Sequence, residues 1–231
     1  NAPYGNKSDK EIGILTCLGI ERLRKNGATQ IVSACNSASA NIVVPLFDKL
    51  KIKPVDIIEM VGPTVKSFKN KEGVRILLVA TEATIRSGIY QNGFKSLNVK
   101  IQALAMPHLA GGIENGSSYP ALLAMIGSAL EKYNGTYDTL VLACTHFPLV
   151  IDLFERNVPK GVSIIDPAKL VTEEVVQKYI NTNLSPFFNS PKLEKRENGK
   201  MRFLISKDSS FFREKVDEFF NASDYSIDVV S

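Results

Sequence analysis

Two cysteines of this 231-residue chain stand in matching surroundings. Ile31-Val-Ser-Ala-Cys35-Asn36-Ser37 and Leu140-Val-Leu-Ala-Cys144-Thr145-His146 share one layout: an apolar strand, Ala, Cys, then small polar residues able to cap a helix. A thiol at the end of a strand and the start of a helix feels the helix's positive end and nearby backbone N–H groups. Both lower its pKa and suit it to proton transfer. Asn36, Ser37, Thr145 and His146 add side chains at the same two turns that fit the carboxylate and ammonium groups of a small zwitterion. Three chemistries can use two facing thiols. A disulfide switch needs the sulfurs in bonding contact, a nucleophile needs one Cys with a base, and a racemase needs one Cys on each face of a carbon.

The elements around the cysteines favour the last. Strands are expected at 30–34, 55–58, 74–80, 99–104, 138–143, 162–165 and 201–205. Helices are expected from Ser8, whose Ser8-Asp-Lys-Glu11 is a capping box, and at 37–50, from Pro63, at 83–95, 119–132, from Phe147, at 168–180 and at 209–220. In the first helix Ile12, Leu15, Leu18 and Leu23 form the apolar stripe, and Cys17 reads as a small buried hydrophobe. Strand-helix alternation means parallel sheets with helices on both faces and ligands at the carboxyl ends of strands. The fold class is therefore α/β, with two similar doubly wound parallel-sheet lobes and the active site between them. Cys35 and Cys144 lie 109 residues apart, the length of one such half, so the pair reads as a faint internal duplication with one thiol at each sheet's edge. The expected lobes are 1–61 plus 166–231, carrying Cys35, and 62–165, carrying Cys144. The proline- and charge-rich stretch 181–200 reads as a solvated loop.

Composition removes other classes. With 44% hydrophobic and 23% charged residues the chain is an ordinary globule, and a net charge of +4 with scattered basic residues gives nucleic-acid binding no support. No apolar run approaches the roughly 20 residues of a membrane span, so a soluble protein without a membrane partner is expected. Three distant cysteines make neither a disulfide framework nor a zinc site, so no metal is expected. Gly111-Gly-Ile-Glu-Asn-Gly116 lacks the Lys-Ser/Thr of a phosphate loop and reads as a flexible turn, its Glu114 outside the catalytic set. His108 reads as structural or surface. Asn1-Ala-Pro-Tyr-Gly has no initiator Met and reads like a loop between two elements, so the true N-terminus is expected to lie upstream.

At these residues the sequence resembles the cofactor-independent aspartate/glutamate racemase superfamily, and within it the bacterial glutamate racemases. Ala34-Cys35-Asn36-Ser37-Ala38-Ser39-Ala40 resembles the A-C-N-T-A-S-A motif with the first catalytic cysteine, and Cys144-Thr145-His146-Phe147-Pro148-Leu149 the C-T-H-[YF]-P-L motif with the second. Pro3-Tyr4-Gly5 resembles a substrate-touching P-Y-G stretch, and Ala80-Thr81-Glu82-Ala83-Thr84-Ile85 a G-T-x-A-T-I turn. The stretch 107–116 is similar to one ending in a Glu before Gly, and the ending 201–220 resembles the tail of the glutamate enzymes. The resemblance implies Cys35 and Cys144 as the acid-base thiols. It also implies substrate contacts from Tyr4, Gly5, Asn36, Ser37, Thr81, Thr84, Thr145 and His146, with His146 steadying or protonating near Cys144. It further implies interconversion of L- and D-glutamate without a cofactor, a cytoplasmic place in peptidoglycan synthesis, and possible homodimerisation; the alternatives are a racemase for aspartate or a hydantoin, or a truncated homologue that binds an amino acid without turnover. Departures are Ser37 for Thr, Ala80 and Ala143 for Gly, and Asp166-Pro167 for Asp-Ser. The family's opening strand, which ends in an Asp-Ser-Gly turn, is expected upstream of Asn1.

Overall fold

Five consecutive apolar residues make a strand only if both faces of the sheet are covered, and the centre of this molecule meets that condition. The computed structural model describes residues 4, 7–42, 57–180, 201–221 and 224–230. In chain order the elements begin with α1 (Asp9–Lys25), β1 (Ile31–Ser33), α2 (Asn36–Ile42), β2 (Ile57–Glu59) and α3 (Val61–Lys66). They continue with β3 (Ile76–Ala80), α4 (Glu82–Ser87), α5 (Ile89–Ser96), β4 (Ile101–Ala105), α6 (Leu109–Glu114) and α7 (Tyr119–Leu130). There follow β5 (Thr139–Ala143), a 3-10 turn (Phe147–Val150), α8 (Ile151–Asn157), β6 (Ser163–Ile165) and α9 (Pro167–Val175), which runs on as a π turn (Val176–Ile180). The last are β7 (Met201–Ile205), α10 (Ser210–Phe219) and β8 (Tyr225–Val229).

Among the described residues every strand pair is parallel: β1 with β2, the order β4-β3-β5-β6 in a second sheet, and β7 with β8. This is the expected α/β class. All residues of β3 and β5 are buried, and their side chains alternate between two cores. Leu77, Val79, Leu140 and Leu142 pack with Leu122, Ile126, Leu130, Leu153 and Phe154 of α7 and α8. Ile76, Leu78, Ala80, Val141 and Ala143 pack on the other face with Val61, Phe68, Tyr90 and Phe94. Ala80 and Ala143 are register partners, so the residues that follow, Thr81 and Cys144, leave the sheet at the same edge.

The chain forms two compact units, Ala2–Asn183 and Leu184–Ser231, the latter together with Asn1. Both the β1-β2 and the β4-β3-β5-β6 sheets belong to the first. After β6 the chain returns to the β1-β2 sheet, where Val171 of α9 packs with Ile58 and Met60. The second unit holds β7, α10 and β8, with Phe203 against Phe212, Phe220 and Tyr225 and an Arg202–Asp228 ion pair.

Several expectations change in detail. The capping box forms: Ser8 Oγ accepts from Glu11 N–H at 3.3 Å and a Glu11 carboxylate oxygen accepts from Ser8 N–H at 2.8 Å. The α1 stripe is shifted, however, because the buried positions are Ile12 and Ile20, while Leu18 is 56% and Leu23 40% exposed and Cys17 is half-buried. The expected helix 83–95 is two helices, α4 and α5, because Gly88 takes φ 67° and turns the chain between them. The flexible turn expected at Gly111 is helix α6, whose Gly112 lies so close to α7 that a Cβ would meet Leu122 Cδ2 at 3.2 Å. Strand β8 was not foreseen. The solvated loop expected at 181–200, and the later part of the helix expected at 37–50, lie outside the described residues. Among those described, no helix is long and apolar enough to cross a membrane.

Gly88→Ala should lower stability by about 1–2 kcal/mol, the cost of a Cβ in the left-handed region. Urea unfolding measures it, and an unchanged midpoint would mean that the two helices can rejoin without strain.

Candidate active site

Because parallel strands end at one edge, the turns after β1, β3 and β5 deliver Cys35, Thr81 and Cys144 to common ground. They line a cleft of about 570 Å³, a size suited to a small metabolite. Tyr4, Asn36, Ser37, Thr145 and His146 line it as well. Thr84 does not line the cleft, and Gly5 lies outside the described residues. Thr84 is fully buried behind the wall, where Ser37, Thr81 and Thr84 form a ring of hydroxyls at 2.9, 3.1 and 3.1 Å. The ring joins the start of α2 to the start of α4, and Thr81 also caps α4 by accepting from Thr84 N–H.

Two lining residues stand outside the set read from sequence. His108, taken as structural or surface, lines the cleft, and so does Glu114, set aside as part of a flexible turn. Helix α6 carries Glu114 to 3.6 Å from His146 Nε2, and His146 Nδ1 lies 4.0 Å from Cys144 Sγ. Carboxylate, imidazole and thiol thus stand in a row, with the imidazole placed between an acidic side chain and the sulfur, an arrangement suited to proton exchange. The signal was the Glu itself, but only tertiary structure pairs it with a histidine 32 positions later.

The electrostatics reverse one expectation. Backbone N–H groups do reach both sulfurs, from Ala38 and Ser37 at Cys35 and from His146 and Phe147 at Cys144. Burial outweighs them. It raises the Cys35 pKa above that of a free thiol and pushes Cys144 up to about 11, with Cys35 adding a repulsive contribution to Cys144. Tyr4 is raised by its burial and by Cys35, so its phenol stays a proton donor beside that sulfur. No disulfide joins the cysteines. Among the described residues no group of three or more His, Cys, Asp or Glu side chains could hold a metal ion. The described lining includes Glu82 and Glu114 but no Lys or Arg, so an anion there must be held by amides, hydroxyls, imidazoles and backbone N–H groups.

Residues 7–175 match the model of the Asp/Glu/Hydantoin racemase family. The chain belongs to that family. It is 31% identical, over 99% of its own length and 82% of the other's, to glutamate racemase 1 of Caldanaerobacter subterraneus subsp. tengcongensis. To the glutamate racemase of Fusobacterium nucleatum it is 28% identical over 95% of this chain and 80% of that one. Among solved structures, glutamate racemase isoform RacE1 from Bacillus anthracis superposes with a TM-score of 0.81 at 25% identity, covering 100% of this chain and 84% of that one. The Francisella tularensis glutamate racemase, solved in complex with D-glutamate, shares the fold with a TM-score of 0.83 at 22% identity and the same coverage. The two-lobed α/β fold is therefore that of this family of amino-acid racemases.

A thiol held neutral by burial stabilises the folded chain fully below its ordinary pKa near 9, and that contribution is lost as pH rises through about 11. Over this window the unsubstituted chain should lose about 2–3 kcal/mol more stability than Cys144→Ala. Denaturant melts from pH 8 to 11 measure the difference, and parallel curves would show that Cys144 ionises freely.

Proposed function

We propose that this chain interconverts L- and D-glutamate, with Cys35 and Cys144 as the two acid-base groups acting on opposite faces of the α carbon. The observation that carries the reading is the meeting of two thiols, from matched strand ends, in one metabolite-sized cleft. In each direction one cysteine starts as thiolate and takes the α proton. The electron pair left on carbon spreads into the carboxylate, and the other cysteine, as thiol, returns a proton from the far side. The roles are exchanged at the end of a turnover, so product of one hand leaves the cysteines set for substrate of that same hand.

The remaining side chains have parts in this scheme. Asn36, Ser37, Thr81 and Thr145 offer neutral donors to the amino acid's carboxylates, Glu82 and Glu114 place negative charge near its ammonium, and Tyr4 donates beside Cys35. Thr84 acts through the ring of hydroxyls behind the wall, and Gly5 is kept as a further substrate contact on the sequence resemblance alone. His146, backed by Glu114, manages the proton on Cys144. No cofactor or metal takes part in the scheme. The D-glutamate formed would feed peptidoglycan synthesis in the cytoplasm, and a homodimer is compatible with it.

The test is proton NMR of L-glutamate and, separately, L-aspartate in D₂O, following loss of the Cα proton. Exchange on glutamate exceeding that on aspartate, and abolished in both Cys35→Ala and Cys144→Ala, is the expected result. Faster exchange on aspartate would reassign the substrate, and exchange surviving either substitution would end the two-thiol scheme. His146→Asn should lower kcat/KM by about 10²-fold. The loss must be equal in both directions because the enantiomers have equal free energy. Since both thiols are raised by burial, the kcat/KM profile should be a bell displaced to the alkaline side of neutrality, its acid limb marking loss of the thiolate. A plateau centred at pH 6 would contradict this.

A further inference from the structure

Asn36 follows Cys35 directly and lines the cleft, yet it is only 2% exposed, and its amide nitrogen finds no acceptor among the described residues. Its amide oxygen is engaged. Tyr90 of α5, 54 positions away, donates its O–H to Asn36 Oδ1 at 2.6 Å. That distance belongs to an O–H···O bond and is short for a bond from an amide nitrogen, which fixes which end of the carboxamide faces the phenol. The phenol has a second, longer acceptor in Met60 C=O at 3.4 Å, but the Thr64 hydroxyl already donates to that carbonyl at 2.6 Å. Tyr90 is fully buried, with its ring stacked on Phe94, and burial raises its pKa well above that of a free phenol, so the hydroxyl remains a donor at neutral pH.

A buried carboxamide can turn end for end, and its two ends have opposite chemistry. With Oδ1 facing the ligand, Asn36 would repel a carboxylate. With the NH₂ group facing it, the same residue is a donor, and a buried donor left without a partner is costly until a ligand supplies one. We propose that Tyr90 is a positioning residue whose hydroxyl holds the Asn36 carboxamide in one orientation, so that its NH₂ group is the end kept for a carboxylate oxygen of the amino acid. The proposal rests on reading the cleft as the racemase site, and it adds a residue outside the cleft wall that sets how well that site binds. A preset donor strengthens ground state and transition state alike, so its effect belongs to KM rather than to kcat.

The experiment is a double-mutant cycle on the racemase reaction: unsubstituted chain, Tyr90→Phe, Asn36→Ala and both together, with L- and D-glutamate as substrates and thermal melts by circular dichroism beside them. Tyr90→Phe should raise KM roughly tenfold while kcat stays within about threefold, and should cost nothing further once Asn36 is alanine. An unchanged KM, or the same loss in both backgrounds, overturns the proposal. So does a Tyr90→Phe chain that unfolds while Asn36→Ala stays folded, for the hydroxyl would then be structural. Asn36→Asp, which keeps the acceptor for Tyr90 and removes the NH₂ group, should fold and bind at least tenfold more weakly. Binding as tight as before would likewise overturn the proposal. If the unsubstituted chain exchanges no Cα proton, the racemase reading fails, and the same cycle read as the calorimetric Kd of L-glutamate still decides on Tyr90. Absence of binding by the unsubstituted chain would overturn both.

Discussion

The turn that carries Cys35 is tied to its own sheet and to the elements that follow β3 by a small set of buried and half-buried hydrogen bonds, and the geometry of the cleft depends on them. Ser37 joins Thr81 and Thr84, Asn36 joins Tyr90, and Ser39 accepts from Met60 N–H while it is linked to Ser33 on β1. Cys144 needs no such ties, because β5 lies inside a four-stranded sheet with both faces covered and fixes the sulfur through the backbone. One thiol is thus positioned by packing and the other by polar contacts. Buried polar contacts tolerate little error in distance or angle, so a modest change at Ser37 or Tyr90 moves Cys35 against a stationary partner.

A second tension sits at the sulfurs themselves. The helix starts bring N–H groups that favour a thiolate, while the enclosure that shapes the cleft disfavours it more strongly. A buried neutral thiol is less prone to oxidation than a thiolate, so the enclosure that raises both pKa values also protects the sulfurs. The Glu114–His146 pair stands beside Cys144, the one ionisable side-chain pair in contact with that sulfur among the described residues.

Much of this was legible in sequence where the determinant is local. The two cysteine turns are written in adjacent residues, with strand, small residue, thiol and cap in order, and the apolar runs of β3 and β5 announce a sheet covered on both sides. What failed was whatever depends on another element. The thiol ionisation was misread because helix starts are visible in sequence and enclosure is not. Helix α6 was missed because Gly111 and Gly112 speak against a helix, whereas the fold uses the missing Cβ of Gly112 to bring α6 onto α7. Glu114 fell with it. Tyr90 carried no mark at all, since its partner is 54 positions away and the one helix expected there divides at Gly88.

The absence of Lys and Arg from the described lining has a wider consequence. A pocket built around a fixed cation would be committed to anions, and changing its ligand would require changing its net charge at great cost in an enclosed space. Neutral amides and hydroxyls carry no such commitment. They can be re-spaced by single substitutions to meet a longer acid, a shorter one or an uncharged ring, so the same pair of thiols can be kept while the ligand changes. A cleft without a fixed cation leaves such changes of ligand open to mutation, in a family whose description joins Asp, Glu and hydantoin racemases.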